Sequence, residues 1–434
     1  NLRVRKAVTL KGAALFTINP MATKSGDISS DEMIIIPGTM EALLNGLVIA
    51  LAEKSGGDVA ALKSLLEPNT VEKAADISGI VGERIKALAE KLAGAKNITL
   101  IAGEFISTSS SRETLASALN NLAITAGIYE KGQIGILSKY ANSKGAEKLG
   151  VMPHLSEKEI TEFKNIWGYY PDNPGLASDK MILGAKKEEI DSLLIFAANP
   201  VRDFPDGQFV RDGIEKLDFL VVADMCESET TEMADVVLPL AGWAEYDGTF
   251  VNVEGREQCF NAAIKPVGNS LPAYEIVRRI AEAMKEPIYE SFDDLKKETA
   301  ILINMERAQE KMALAEVKYT VEPKPSDFPY PLFVVDDMHH FGHRTEKSKS
   351  LTIFCGEPYA AISPALAEKL EIADGAMVKV ESEAGKVILT ARISEHIDND
   401  VVLINRAFAA PPVNILQMRK RRIDWVRIAR MEEA

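Results

Sequence analysis

The stretch from residue 219 to residue 258 constrains this chain most, because two apolar runs there flank a short polar turn. The first run, Phe219 to Ala223, ends in Asp224, and the second, Val236 to Pro239, stops at a proline. Runs of this length and composition are typical of buried strands, and the serine and threonine residues between them can cap a short helix. This order predicts an α/β unit, in which ligands bind beyond the carboxyl ends of the strands.

On this pattern alone, Asp224 and Glu229 are expected only to cap the short helix, since a strand–turn–helix unit is a weak signal of function. Gly248 and Gly255 bracket a β-rich piece that is expected to turn tightly at both ends, where glycine tolerates positive φ. The pattern therefore predicts where a site could lie without assigning a residue to it.

The residues from 234 to 256 resemble the molybdopterin oxidoreductase family, whose pattern reads ADVVLP, then E, GT, N and EGR in order. The matching residues are Ala234 to Pro239, Glu245, Gly248, Thr249, Asn252 and Glu254 to Arg256. A gapped string of this length and mixed chemistry is not expected by chance. Formate dehydrogenases and nitrate reductases belong to this family. So does the large iron-sulfur subunit of respiratory complex I (NADH-quinone oxidoreductase), which usually carries no pterin.

Length, charge and cysteine content exclude several classes of protein. The 434 residues suffice for more than one domain, and no apolar run approaches the roughly 20 residues of a membrane-spanning helix. The net charge of −14 argues against general nucleic-acid binding. Cys226, Cys259 and Cys355 are scattered and are expected to be buried free thiols, because an iron-sulfur cluster needs more cysteines close together. The chain begins at Asn1 without methionine and is expected to enter a strand directly, so a missing N-terminal part is expected.

The order of short strands and amphipathic helices predicts an α/β fold, with parallel-sheet, Rossmann-like units and flanking helices followed by a small C-terminal β-barrel. Four prolines between residues 321 and 331 mark the last boundary before the barrel. The predicted segments are an α/β unit with an irregular surface loop at 1–185, a second α/β unit at 186–290, a helical and proline-rich linker at 291–331, the barrel at 332–414 and a basic tail at 415–434.

The barrel is predicted from the same resemblance, since residues 364–385 match the signature of the domain that closes over the pterins in molybdenum-containing members. The matching residues are Pro364, Ala367, Leu370, Ile372, Asp374, Gly375, Val378, Val380, Ser382 and Gly385. His339, His340 and His343 precede this domain and are residues that can ligate zinc. The family carries polar residues here without a metal, so no metal site is expected.

In family members that carry a pterin, the resemblance implies that the loops after the first two strands contact the nucleotide tail of the cofactor. These strands are predicted at 14–18 and 33–36. Met21 stands where the family has an arginine, and Met40 stands where it has an acid. Methionine can neither pair with a phosphate nor accept a hydrogen bond from a guanine edge. Both changes argue against a bound pterin.

A further departure follows the strand predicted at 193–197, where Ala197 or Ala198 replaces a family glycine. A Cβ at that position limits how closely the backbone can approach a phosphate. No catalytic, cofactor-binding or metal-ligating residue is therefore assigned, and no cofactor is expected within this segment. Iron-sulfur clusters are expected in the missing N-terminal part or in partner subunits.

The tail combines a high positive charge with apolar residues such as Trp425, a mixture found at interface hot spots. Its basic residues are Arg419, Lys420, Arg421, Arg422, Arg427 and Arg430, against the acid Asp424. The tail is predicted to dock onto a partner subunit, or else to fold back on the acidic surface of its own chain.

These expectations favour the scaffold portion of a peripheral-arm subunit of a complex I-like NADH-quinone oxidoreductase, which would support an iron-sulfur electron-transfer chain. The expected partners are other subunits of a multi-subunit respiratory complex, not nucleic acid. The expected location is the cytoplasmic side of the cell membrane, reached through those partners. The alternative is a catalytic subunit fragment of a molybdopterin enzyme such as formate dehydrogenase, and a third possibility is a free-standing interaction module.

Overall fold

The structure is a computed structural model. It describes residues 2–103, 111–153, 155–171, 173, 175–305, 312–337, 339–397, 399–406, 408–419 and 421–431. The helices of the described chain are α1 (Leu2–Lys11), α2 (Met40–Ser55), α3 (Val59–Leu65), α4 (Val71–Ser78), α5 (Gly82–Gly94), α6 (Arg112–Thr125), α7 (Ile128–Lys131), α8 (Ser143–Lys148), α9 (Glu157–Trp167), α10 (Ser178–Lys186), α11 (Pro200–Asp203), α12 (Gly207–Ile214), α13 (Ala273–Ala283), α14 (Phe292–Ile303), α15 (His343–Glu346), α16 (Lys349–Cys355) and α17 (Pro364–Lys369). No described helix combines the length and the apolar character that a membrane span requires.

The strands are distributed along the whole chain. They are β1 (Phe16–Asn19), β2 (Asp31–Ile34), β3 (Leu66–Glu67), β4 (Ile98–Ala102), β5 (Gly132–Ile136), β6 (Ser192–Phe196), β7 (Phe219–Asp224), β8 (Val236–Pro239), β9 (Gly248–Val251), β10 (Glu257–Phe260), β11 (Val317–Lys318), β12 (Tyr330–Val335), β13 (Tyr359–Ile362), β14 (Met377–Glu381), β15 (Lys386–Ile393), β16 (Val402–Asn405) and β17 (Asp424–Arg430).

The chain forms two compact units, each built from segments that are separate in sequence. The first unit contains Asn1–Ile136, Met312–His340 and Ile353–Ala434, and the second contains Leu137–Lys311 and Phe341–Thr352. The domain boundaries predicted from the sequence remain a prediction.

Helix α2 is the centre of the α/β part of the first unit. Its residues from Glu41 to Ala52 are buried, because apolar side chains occupy every face of the helix. Gly46 allows helix α4 to approach closely, since a Cβ at Gly46 would lie only 2.3 Å from the Cβ of Ala74. Strands β1 and β2 pair in parallel, with Asn19 opposite Ile34. The unit begins with α1 rather than with the strand that the sequence predicted, and none of the residues of α1 is buried.

The other part of the first unit is a closed barrel with the strand order β12-β16-β13-β15-β14-β17. Strand β15 shows the alternation that builds its core, since Val387, Leu389 and Ala391 are buried between more exposed neighbours. The predicted α/β fold with a small C-terminal barrel is therefore confirmed.

Part of the predicted basic tail is a strand of this barrel. Strand β17 pairs antiparallel with both β12 and β14, and Val426 and Ile428 point into the barrel core. Because these apolar residues alternate with polar ones, the segment fits a barrel wall rather than a free tail. At its start, the carboxylate of Asp424 accepts the N–H of Met418 at 2.8 Å, and burial raises the pKa of Asp424 to about 6.

The second unit contains the parallel sheet β6-β7-β8 that the stretch from residue 219 predicts. On one face, Leu220 and Val222 pack against residues of α10, α11 and α12. On the other face, Ala223 packs against Ile276 of α13. Helices on both faces are typical of parallel sheets, and they leave the carboxyl ends of the strands for polar residues.

Candidate cofactor sites

The carboxyl ends of β6 and β7 lie side by side in the second unit, where the sequence predicts ligand binding. Asp224 is the last residue of β7, and Ala197 follows β6. Ala197 has a φ of 50°, which lies in the left-handed region that favours glycine. This favours Ala197, rather than Ala198, as the replacement of the family glycine. The N–H of Ala197 donates to the carbonyl of Ala223 at 2.8 Å, which fixes the turn against β7.

Asp224 forms a buried pair with His343, a residue of α15. The His343 Nε2 lies 2.9 Å from the Asp224 Oδ2, and the side chains are 3% and 0% exposed. Burial raises the pKa of Asp224, but the hydrogen bonds from His343 and from the N–H of Met225 lower it more, so the pKa lies below its ordinary value. An ionised carboxylate accepts hydrogen bonds only, so the His343 Nε2 donates. Asp224 is therefore not a simple helix cap.

A second buried network surrounds Arg202, at the end of α11. Its side chain is 6% exposed and lies 2.8 Å from the carboxylates of both Glu229 and Glu346. The Asn199 amide donates to Glu229 at 2.7 Å and accepts from Thr230 at 2.7 Å. Burial alone would raise the pKa of Glu229. The hydrogen bonds from Asn199 and Arg202 lower the pKa by more than burial raises it, so the pKa lies below its ordinary value. The expectation that Glu229 only caps a helix is wrong, because its carboxylate instead joins two strand ends.

The residues of the motif around β9 and β10 have local structural roles. The Asn252 side chain accepts two backbone N–H groups of the hairpin turn at 3.0 and 2.9 Å, and Glu245 accepts a backbone N–H at 2.8 Å. Gly255 has a φ of 80°, as expected for a tight turn. Gly248 is required for a different reason, since a Cβ there would lie 2.5 Å from the Phe260 ring. These residues shape the hairpin in the described structure.

Met21 and Met40 in the first unit both contribute to packing. Met21, in the loop after β1, packs against a cluster on the outer face of the barrel that includes Val401 and Leu403. Met40, at the start of α2, packs against the α/β core. Thr39, next to Met40, donates its hydroxyl to the carbonyl of Ile36 at 2.6 Å. Apolar contacts thus replace the polar contacts that an arginine and an acid would make.

The carboxyl ends of β12 and β16 form the polar mouth of the barrel. Asn405, the last residue of β16, is 1% exposed, and neither its Oδ1 nor its Nδ2 has a hydrogen-bond partner among the described residues. The next residue, Arg406, pairs through two nitrogens with Asp336 after β12. His340 lies with its ring edge-on to Phe408, at a centroid distance of 4.6 Å.

The histidines that precede the barrel belong to different units. His339 and His340 belong to the first unit, whereas His343 pairs with Asp224 in the second. Within the described residues, no group of three or more His, Cys, Asp and Glu side chains is arranged to hold a metal ion.

The described residues can be compared with the chemistry of a pterin dinucleotide. The polar residues at the sheet edge of the second unit satisfy one another, so they fit a role in fixing the strand ends. Asn405 in the first unit differs, because both its NH2 donor group and its carbonyl acceptor lack a partner among the described residues. A pterin ring and a guanine base each present adjacent donors and acceptors, so the chemistry of the Asn405 amide matches a cofactor of this class. Asn405 is not predicted as a site residue from the sequence. The sequence feature that could have identified it is an amide side chain at the end of an otherwise apolar strand.

Two family models match this chain. The model described as "Molybdopterin oxidoreductase" matches residues 1–283, and the model described as "Molydopterin dinucleotide binding domain" matches residues 334–428. The second range includes the barrel strands from β13 to β16 and most of β17. The family that the motif residues resemble is thus found independently over most of the chain.

Several curated proteins are similar over much of the chain. The F420-dependent formate dehydrogenase subunit alpha of Methanocaldococcus jannaschii is 28% identical over 466 residues, which cover 94% of this chain and 69% of that protein. The NADPH-Fe(3+) oxidoreductase subunit alpha of Geobacter sulfurreducens is 26% identical, over 96% of this chain and 52% of that protein. An NADH-quinone oxidoreductase subunit of Rhizobium meliloti is 26% identical, over only 78% of this chain and 43% of that protein.

Among solved structures, the acetylene hydratase from Pelobacter acetylenicus superimposes with a TM-score of 0.75 over 98% of this chain and 75% of that chain. The sequence identity is 15%, so this likeness shows the fold alone.

These comparisons correct the sequence-based expectation that no cofactor binds within this segment. Both matching models describe molybdopterin domains, and together they cover the α/β part and the barrel. The departures at Met21 and Met40 concern only two side-chain contacts, whereas a cofactor of this size is bound by many groups of the protein. The preference for a complex I subunit over formate dehydrogenase is also not supported, because the formate dehydrogenase subunits match more of the chain. The chain belongs to the molybdopterin oxidoreductase family.

Proposed function

We propose that this chain is the cofactor-holding part of the alpha subunit of a formate dehydrogenase-type molybdopterin enzyme. The observation that carries the proposal is the similarity to formate dehydrogenase alpha subunits across both the α/β and the barrel segments. When bound, a molybdopterin cofactor supplies a metal that accepts the electrons released as formate becomes carbon dioxide and a proton.

The residues of this chain would bind and orient such a cofactor. Asn405 offers an unpaired amide to a ring edge, and Asp224 with His343 holds the strand end of β7 in place. The Arg202 guanidinium stays charged because it pairs with the carboxylates of Glu229 and Glu346. These ion pairs would hold the edge of the sheet in a fixed position. Groups that satisfy one another hold a site in a fixed geometry, which lowers the free energy that a bound cofactor must supply for ordering.

A second candidate is a subunit of an NADH-quinone oxidoreductase that retains the cofactor-binding domains. The similarity to the NADH-quinone oxidoreductase subunit of Rhizobium meliloti favours it, although over a smaller part of the chain. In either case we propose that partner subunits carry the electrons onward, because the described cysteines are free. Attachment to the cytoplasmic side of a membrane would then depend on those partners.

The test is to purify the protein from its native host with its associated subunits and to measure molybdenum, tungsten and pterin per chain. We expect metal and pterin at close to one equivalent per chain, and formate-dependent reduction of a viologen dye. NADH-dependent reduction of a quinone analogue in the same preparation, without formate oxidation, would instead support the second candidate. A preparation that is complete in its subunits but contains neither metal nor pterin would refute both.

A further inference from the structure

Residues 341–352 lie between the barrel strands β12 and β13 in sequence, yet they pack with the second unit. The stretches on either side, which end at His340 and resume at Ile353, belong to the first unit. The chain thus leaves the first unit, contributes one short segment to the second and then returns. We call residues 341–352 the crossing segment; it contains α15 and the start of α16.

Three polar contacts, each from a different residue of α15, attach the crossing segment to the second unit. They join His343 Nε2 to Asp224 Oδ2 at 2.9 Å, Arg344 Nη2 to the carbonyl of Ala197 at 2.5 Å, and Glu346 Oε1 to Arg202 Nη1 at 2.8 Å. The three partners lie at the end of β7, in the turn after β6 and in α11. Ligands of parallel α/β sheets bind beyond the carboxyl ends of the strands. The crossing segment therefore lies across the part of the sheet that a ligand has to reach.

The crossing segment buries no apolar side chain. Its buried residues are Gly342, His343 and Thr345, whereas Phe341 is 61% exposed and Leu351 is only half-buried. Segments with few buried apolar contacts open locally more readily than the core does. The charged groups at the three contacts regain water when they separate, which offsets part of the lost hydrogen bonding. The crossing segment can therefore open while the sheet stays folded.

Glycines with positive φ flank α15 and α16. Gly342 has a φ of 111° and Gly356 has a φ of 64°. An added Cβ would meet nothing within 4 Å at Gly356, and at Gly342 it would meet only the Asp203 carboxylate at 3.8 Å. Close packing thus requires neither glycine, whereas the backbone conformation favours both. Residues that absorb backbone rotation at the two ends of a segment are typical of hinged lids.

We infer that the crossing segment is a latch, which opens to admit the molybdopterin cofactor to the carboxyl ends of β6 and β7 and closes once the cofactor is bound. The polar contacts of α15 hold the latch closed, and Gly342 and Gly356 are its hinges. A ligand that is enclosed by the closed form favours that form, so the latch should open more often without cofactor. This inference rests on the proposed function, because it requires a molybdopterin cofactor to bind.

Hydrogen exchange measures how often the crossing segment opens. The loaded protein, purified with its associated subunits, is compared with the same complex from a host that lacks molybdopterin biosynthesis. Peptides that cover residues 341–352 should exchange roughly tenfold faster without cofactor, whereas peptides of β15 should exchange equally in both forms. In the cofactor-free complex they should also exchange faster than β7. Equal exchange in the loaded and cofactor-free forms, or exchange in step with β7, would overturn the inference.

Glu346→Ala removes one of the three contacts and tests the direction of the effect. Arg202 retains its ion pair with Glu229, and the Glu346 side chain is 27% exposed. We therefore expect opening to increase by roughly 3- to 10-fold. The rate of pterin release from the loaded protein and the rate of cofactor uptake by the cofactor-free protein should both rise by this factor, because both require the latch to open.

Uptake is followed with molybdenum cofactor freed from a denatured molybdopterin enzyme, and bound pterin is measured by its fluorescence after oxidation. Glu357→Ala is the matched control, because Glu357 is exposed and lies just beyond the second hinge. It should leave the rates of release and uptake unchanged.

The two rates separate a latch from a structural support. Faster release and faster uptake in Glu346→Ala support the latch. Faster release without faster uptake means that Glu346 only stabilises the fold, and the inference is then wrong. Rates equal to those of Glu357→Ala also refute it. If the loaded wild type contains no pterin, the proposed function fails first, and exchange of residues 341–352 in step with β7 still decides against a latch.

Discussion

The buried network around Glu229 should be worth a large part of the stability of the second unit, and Glu229→Ala tests this. The change removes three hydrogen bonds, from Asn199 at 2.7 Å and from the Nε and Nη2 of Arg202 at 3.0 Å each. Removing one partner of a buried ion pair costs about 3–5 kcal/mol when the other charge is left alone. In the variant, Arg202 retains its ion pair with Glu346, and the Glu229 side chain of the wild type is already 24% exposed. Both facts reduce the expected loss of stability. We therefore expect a loss of about 2–3 kcal/mol.

The assay is urea unfolding combined with hydrogen exchange of the peptides that cover residues 192–240, since exchange reports local opening of one sheet. Glu227→Ala is the matched control, because Glu227 is exposed and lies two positions away on the same turn. A surface change of this kind should alter the free energy of unfolding by less than about 0.5 kcal/mol. If Glu229→Ala costs no more than Glu227→Ala, the network contributes no stability and the reasoning is refuted.

Three further predictions concern the hairpin and the barrel. Gly248→Ala should destabilise the chain by about 1–3 kcal/mol in urea unfolding, because the added Cβ would lie 2.5 Å from the Phe260 ring; Phe260→Leu in the same chain should restore part of the loss, and no restoration would point to a backbone cause. The pKa of Asp424 is raised to about 6 by burial, so the protonated form stabilises the fold, and this contribution is lost as the pH rises from about 4 to about 6. Asp424→Asn should therefore remove up to about 3 kcal/mol of that pH dependence relative to wild type, and identical pH profiles would contradict the raised pKa. Deleting residues 424–431 leaves β12 and β14 without their shared neighbour, so the protein should aggregate in gel filtration; a monomer with an unchanged amide spectrum would show that β17 is dispensable.

The sequence predicts the regular elements well where apolar runs are long. The run of β-branched and aliphatic residues in Lys386–Ile393 predicts β15 with the bounds that the structure gives, and the even distribution of apolar residues in α2 predicts a central helix. Helix α1 was not predictable, because none of its residues is buried and no apolar stripe marks its period. In β17, the basic residues suggest a charged tail, whereas the buried residues Val426 and Ile428, at alternate positions, indicate a strand.

The polar residues of the candidate sites were much harder to predict. Asp224 and His343 are 119 positions apart, and their pairing depends on tertiary structure rather than on local pattern. The sequence around Glu229 indicates a helix-capping residue. Its role in an ion pair depends on the fold, which places Arg202 beside it. Asn405 differs from its apolar neighbours in sequence, but only its burial without a partner marks it as a candidate ligand residue. Local patterns thus identify elements, whereas the chemistry depends on contacts between distant residues.

The closure of the barrel by β17 has a consequence for how this protein is made. During synthesis, β12 and β14 emerge from the ribosome long before residues 424–430 do, yet both need that strand as a neighbour. Until then the nascent chain carries two open strand edges, which are templates for pairing with other chains. Barrel folding therefore waits for the last strand, and a ribosome that stalls between residues 405 and 424 would release a chain prone to aggregation. Chaperones that cover exposed strands should matter most in that interval.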